Sequence, residues 1–127
     1  MPLVRIDVAS ETSPETVAAI GDVIYDAMRT TASVPEHDKF QIIHRHGDDE
    51  LVYPAAGYLG VTYTKSIVFI QITWNEGRTT EVKRAFYKAV AQGIHERTGL
   101  RQEDVFINLI ETKRENWSFG NGEMHYA

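Results

Sequence analysis

Pro2 is the residue of this chain best suited to unusual chemistry. It follows Met1 and opens the alternating run Pro2-Leu3-Val4-Arg5-Ile6-Asp7-Val8. A methionine ahead of a small residue such as proline is usually removed after synthesis, which leaves a secondary amine at the N-terminus. An apolar pocket lowers the pKa of such an amine towards neutrality, because burial disfavours the charged form. The amine then serves as a general base, as a protonated acid, or as an imine-forming nucleophile. The plain alternative is that proline only assists processing of the start.

Other residues offer chemistry with equally plain alternatives. Arg78 stands just ahead of a helix start at Thr79. A planar guanidinium there offers two parallel hydrogen bonds to a carboxylate, and the free backbone N–H groups of the helix also favour an anion. In isolation Arg78 also reads as a solvated loop residue. Asp38, shortly after Pro35, reads as a turn cap when taken alone. Trp117 and Phe119 read as core or as the wall of a pocket. His44 and His46 share one side of a strand and would suit a metal, but no third ligand accompanies them at a recognisable spacing, so no metal is expected. His37, His95 and His125 have no evident partner in the sequence. Ser118 lacks the glycine context of a nucleophile elbow, and no phosphate-binding glycine loop is present.

Regular elements must position these groups. Residues 3–8 predict a strand, with Val4, Ile6 and Val8 on one side and Arg5 and Asp7 on the other. Ser13-Pro14 predicts a capped helix start, followed by an apolar stripe of Val17, Ile20, Ile24 and Met28. Pro35 ends any helix. Residues 39–45 predict a second strand, 51–53 a short extended piece, and 54–65 a loop. Residues 67–72 are almost continuously apolar, as suits a central strand covered on both faces. Thr79 caps a second helix with a stripe of Val82, Phe86, Ala89, Val90 and Ile94, ended by Gly99. Residues 105–110 predict the last strand. The order is strand–helix–strand twice over, as pseudo-repeat units about 2–53 and 66–111 with a tail at 112–127. The expected fold is therefore α/β (α+β): two fused β-α-β units forming one four-stranded sheet with two helices on one face. Such a sheet leaves its other face bare, so association with like subunits is expected.

Composition narrows the class. A chain of 127 residues suits a single domain, 1–127. The net charge of −5, from 13 basic and 18 acidic residues, disfavours a nucleic-acid partner. Cysteine is absent, so neither disulfides nor thiol chemistry enter. No segment approaches the roughly 20 apolar residues of a membrane span, and no basic region precedes an apolar core at the start. No membrane partner and a cytoplasmic protein are expected.

Four passages, in order along the chain, resemble the tautomerase superfamily and within it the malonate semialdehyde decarboxylase-like group. They are Met1-Pro2-Leu3-Val4-Arg5-Ile6-Asp7, Val34-Pro35-Glu36-His37-Asp38-Lys39-Phe40-Gln41-Ile42, Gly77-Arg78-Thr79, and Asp104-Val105 with Asn116-Trp117-Ser118-Phe119-Gly120-Asn121-Gly122. The resemblance implies a homotrimer whose amino-terminal proline acts on a small oxo acid without a cofactor. Pro2 is then the catalytic amine, and Asp38 the carboxylate that supports proton transfer or activates water. Arg78 holds the substrate carboxylate, Trp117 and Phe119 wall the pocket, and Asn75 joins Arg78 as a substrate contact. The activity implied is keto–enol tautomerisation, or decarboxylation of a 3-oxo acid such as malonate semialdehyde. A non-catalytic binding or signalling role on the same scaffold is the alternative. The segment Trp74-Asn75-Glu76-Gly77-Arg78-Thr79 departs from the decarboxylase pattern Arg-Pro-Arg-Thr in carrying one arginine rather than two.

Overall fold

The computed structural model describes residues 2–126. Met1, whose removal the sequence reading expects, lies outside the described residues, as does Ala127. The elements run β1 (Leu3–Ala9), α1 (Pro14–Ala32), β2 (Phe40–His46), β3 (Val68–Asn75), α2 (Thr80–Thr98) and β4 (Val105–Thr112). They form one sheet in the order β2-β1-β3-β4. The outer pairs β1–β2 and β3–β4 are parallel, and the central pair β1–β3 is antiparallel. This is the expected pair of fused β-α-β units.

Local chemistry sets the helix ends. The Ser13 hydroxyl accepts from the Thr16 N–H at 3.1 Å, and Pro14 occupies the first turn, where its missing N–H costs nothing. Thr79 caps α2 in the same way, accepting from Val82 at 3.2 Å. Gly99 ends α2 with a φ of 78°, which glycine adopts without steric cost. The helices lie close together at Gly93, where an added Cβ would run into the Val23 side chain.

The core lies between the helix pair and one face of the sheet. Val4, Ile6 and Val8 of β1 and Val68, Ile70, Ile72 and Trp74 of β3 are buried against Ile20, Ile24, Met28, Phe86, Val90 and Ile94. Each fully buried aliphatic side chain contributes about 1.5–3 kcal/mol relative to an exposed one. The period-two alternation puts Arg5 and Asp7 of β1, and Phe69, Gln71 and Thr73 of β3, on the opposite face. That arrangement corrects the expectation for β3. It is central in position, yet only one of its faces is covered within the chain, and Gln71 is exposed on the other. The second face carries Phe40, Ile42, Phe106 and Ile110, the last two 43% and 41% exposed. These are large, partly exposed apolar groups on one regular surface.

Two further expectations shift. β2 runs one residue later than predicted, because Ser10 N–H donates to His46 O and extends the pairing. Residues 51–53 join no strand ladder. Loop 54–65 is held instead by Asp104, which is fully buried and accepts from the Thr64 N–H at 2.7 Å and the Thr64 hydroxyl at 2.5 Å. Among the described residues, no helix is long and apolar enough to cross a membrane.

Candidate active site

Pro2 is buried at the start of β1, where that strand meets the end of β3 through the pair Leu3–Thr73. It lines a cleft of about 490 Å³ together with Phe40, Thr73, Thr112, Trp117 and Phe119. Three elements converge here because β1 starts where β3 and β4 end. The chain after β4 then folds back over the opening.

The tail is fixed by aromatic contacts and one buried amide. The Trp117 indole N–H donates to Asn75 Oδ1 at 2.8 Å and to Thr112 Oγ1 at 3.1 Å. Trp117 stacks on Phe119 at 5.6 Å with the rings 3° from parallel. Phe119 also meets Phe40 at 5.9 Å and the edge of Tyr126 at 5.2 Å. His125 has a partner after all: its Nδ1 accepts from the Phe119 N–H at 3.1 Å. Trp117 and Phe119 thus serve as packing and as cleft wall together. Asn75 is buried behind that wall, where it orients the indole.

Arg78 is held ready from behind the same wall. Its guanidinium lies 4.4 Å over the Trp74 ring. Its Nε–H donates to Ala32 O at 3.2 Å and its Nη1–H to Asn75 O at 3.1 Å. Burial lowers its pKa, while the negative charges of Glu111 and Asp38 oppose that shift. An arginine nonetheless stays protonated in a protein. Among the described residues these two bonds use Nε and Nη1 and no hydrogen bond is made by Nη2. Gly77, directly before it, has a φ of 116°. Proline cannot adopt that angle, so the single-arginine loop follows a path that an Arg-Pro-Arg sequence could not.

Asp38 lies two residues before Phe40 of the cleft wall, and its Oδ1 is fully shielded from water. Its charge acts on Arg78 and also on Tyr126, whose pKa is raised by burial first and by Asp38 second, against the pull of Arg114. Pro2, Trp117 and Phe119 therefore share the cleft itself. Asp38, Asn75 and Arg78 form a charged and polar layer joined to it through Trp117 and Phe40. Sequence reasoning missed Thr73 and Thr112. Their only signal was position, as strand residues placed opposite Leu3 and opposite Asn75 by register.

The sequence of a tautomerase enzyme family matches residues 38–120, from Asp38 through the aromatic tail. The chain belongs to the tautomerase enzyme family. It is 39% identical over 122 residues to the probable tautomerase YusQ of Bacillus subtilis (strain 168), a match covering 96% of this chain and 95% of that protein. Among solved structures it resembles the FG41 malonate semialdehyde decarboxylase inhibited by 3-bromopropiolate, with a TM-score of 0.90 and 35% identity over 98% of this chain and 93% of that one. A fused 4-OT protein described as a symmetric trimer shares the fold alone, at a TM-score of 0.77 and 20% identity over 95% of this chain and 94% of that one.

His44 and His46 lie at the far end of the sheet, on the strand that pairs with β1. Asp7 of β1 stands opposite His44 of β2 in the parallel register, and His46 Nε2 lies 2.6 Å from Asp7 Oδ1. The third ligand-type group absent from the local sequence is thus supplied by the neighbouring strand.

Proposed function

We propose that this tautomerase-family enzyme uses Pro2, freed of Met1, as an acid–base group on a small oxo acid, with no cofactor. The observation that carries the reading is the burial of Pro2 in an aromatic-walled cleft. Burial beside an apolar wall disfavours the charged form of such an amine, which suits it to take up and give back a proton. In tautomerisation, neutral Pro2 takes the enol proton and returns it to the adjacent carbon. Atoms and charge are conserved in that step. In decarboxylation, protonated Pro2 hydrogen-bonds the 3-oxo group. The electrons of the breaking C–C bond then form the C=C bond of an enol, whose oxygen takes the proton from Pro2, while carbon dioxide leaves. Arg78 holds the carboxylate through Nη2, and Asp38 supports the proton movements.

Both readings of the reaction have support. The relative named a probable tautomerase is similar over almost the full chain, and the structure named a decarboxylase is nearly as similar in sequence. The single arginine favours tautomerisation as the principal activity, since one cation clamps a leaving carboxylate less firmly than two. The assembly we infer is a homotrimer. It covers the bare apolar sheet face with like copies and accords with the symmetric trimer of the same fold.

The test compares protein whose proline N-terminus is verified by mass spectrometry with the Pro2→Ala variant. Ketonisation of phenylenolpyruvate and carbon dioxide release from malonate semialdehyde are followed side by side. Faster ketonisation, lost in the variant, is expected. Turnover that survives Pro2→Ala would sink the amine mechanism. No turnover of either compound by a folded trimer would favour a binding role.

A further inference from the structure

The opposite end of the bare sheet face carries a second cluster of chemistry-bearing side chains. Asp7 lies about 17 Å along β1 from Pro2, at roughly 3.3 Å per residue, so it takes no part in the cleft. In the parallel register Asp7 is the partner of His44, and His46 follows on the same side of β2. One ligand-type atom from each of Asp7, His44 and His46 lies within 4.8 Å of the other two. Among the described residues this is the one group of three with such convergence. The two imidazole rings are 4.2 Å apart between centroids. His46 and Asp7 are both largely shielded, with side chains 17% and 31% exposed, while His44 is open to solvent.

From this geometry we infer a divalent transition-metal site formed by Asp7, His44 and His46. Two imidazoles and one carboxylate suit zinc and its first-row neighbours, whereas magnesium and calcium prefer all-oxygen sets. A tetrahedral zinc ion at about 2.0–2.1 Å from nitrogen and oxygen spaces its ligands roughly 3.4 Å apart. Rotation about side-chain bonds brings the ligand atoms, already within 4.8 Å of one another, to that spacing. The strands that carry the ligands are already fixed by the β1–β2 ladder. Three protein ligands leave a fourth position for water or for a group from a neighbouring copy, since the site lies on the face that a like subunit would cover. This inference is independent of the Pro2 reading.

The test is calorimetric titration of tag-free, chelator-treated protein with zinc, and with magnesium as the control. One zinc per chain and no magnesium are expected. His44→Ala and Asp7→Asn should each weaken zinc binding roughly tenfold or more. The wild-type zinc absorption edge should show two imidazole nitrogens and an oxygen. His44 is exposed, so His44→Ala should fold and retain the turnover of the parent. Zinc held equally well by His44→Ala would overturn the site, as would no zinc uptake by the parent. Either result would leave Asp7–His46 as a plain ion pair.

Discussion

The two ends of the sheet are built from equivalent parts and put to different uses. At one end β1 starts and β3 finishes; at the other β1 finishes and β3 starts. Parallel outer pairs around an antiparallel centre relate the two ends by an approximate twofold. Directly ahead of β3, as Pro2 is directly ahead of β1, stands Ile67. It is 1% exposed, and its nitrogen is an amide that donates to Thr64 O at 3.1 Å. Nearby Asp104 ties loop 54–65 to the sheet through Thr64. The repeat has therefore copied the architecture without the chemistry. A free secondary amine exists only where a chain begins, so the second unit contributes in another way. It sends Arg78 and the aromatic tail back to the first unit's end.

The sharpest break in that comparison comes from exchanging for alanine each of the two residues that directly precede these strands. Pro2→Ala should lower turnover by about 10²–10⁴-fold, the span of a general acid–base group, while thermal unfolding changes little. Ile67→Ala should do the reverse. Deleting a fully buried isoleucine to alanine costs about 2–5 kcal/mol of stability, read from a denaturant titration, with activity per folded molecule retained. Similar behaviour of the two variants would mean that the ends are not specialised as described.

The elements were legible because their patterns are local. Val4, Ile6 and Val8 alternate, Val17 to Met28 repeat at helical spacing, and Ser13-Pro14 and Thr79 mark helix starts. The covered face of β3 was not legible, since an unbroken apolar run does not say whether Phe69 meets a helix or another copy of the chain. Pro2 could be chosen from its place in the sequence, and Asp38 and Arg78 from family resemblance. What each touches could not. Arg78 finds Ala32, Trp117 finds Asn75, and His46 finds Asp7 only after the strands align. Such pairings join residues far apart in sequence, and no local periodicity encodes them.

Arg78→Lys sharpens the claim that the second unit serves the first. Lysine keeps the charge but loses the planar fork, the Nε–H bond to Ala32 and the stack on Trp74. The substrate carboxylate should bind about tenfold more weakly, seen as a rise in KM with a smaller fall in kcat. A large fall in kcat with KM unchanged would instead place Arg78 at the reacting atoms.

The smallest effect expected is from Trp117→Phe, and it separates wall from scaffold. Phenylalanine preserves an aromatic face against Phe119, so the stacked wall remains. It removes the indole N–H, which leaves Asn75 Oδ1 and Thr112 Oγ1 each without that donor. Asn75 is buried, so the loss should cost about 1 kcal/mol of stability. Turnover should fall only severalfold, because Pro2 and its apolar surroundings are untouched. Asn75→Ala should give a similar loss, and the double variant should cost less than the sum of the two, since both remove one hydrogen bond. Strict additivity would show that the bond between Asn75 and the indole does not couple the two residues, so that the tail is held by its ring contacts instead.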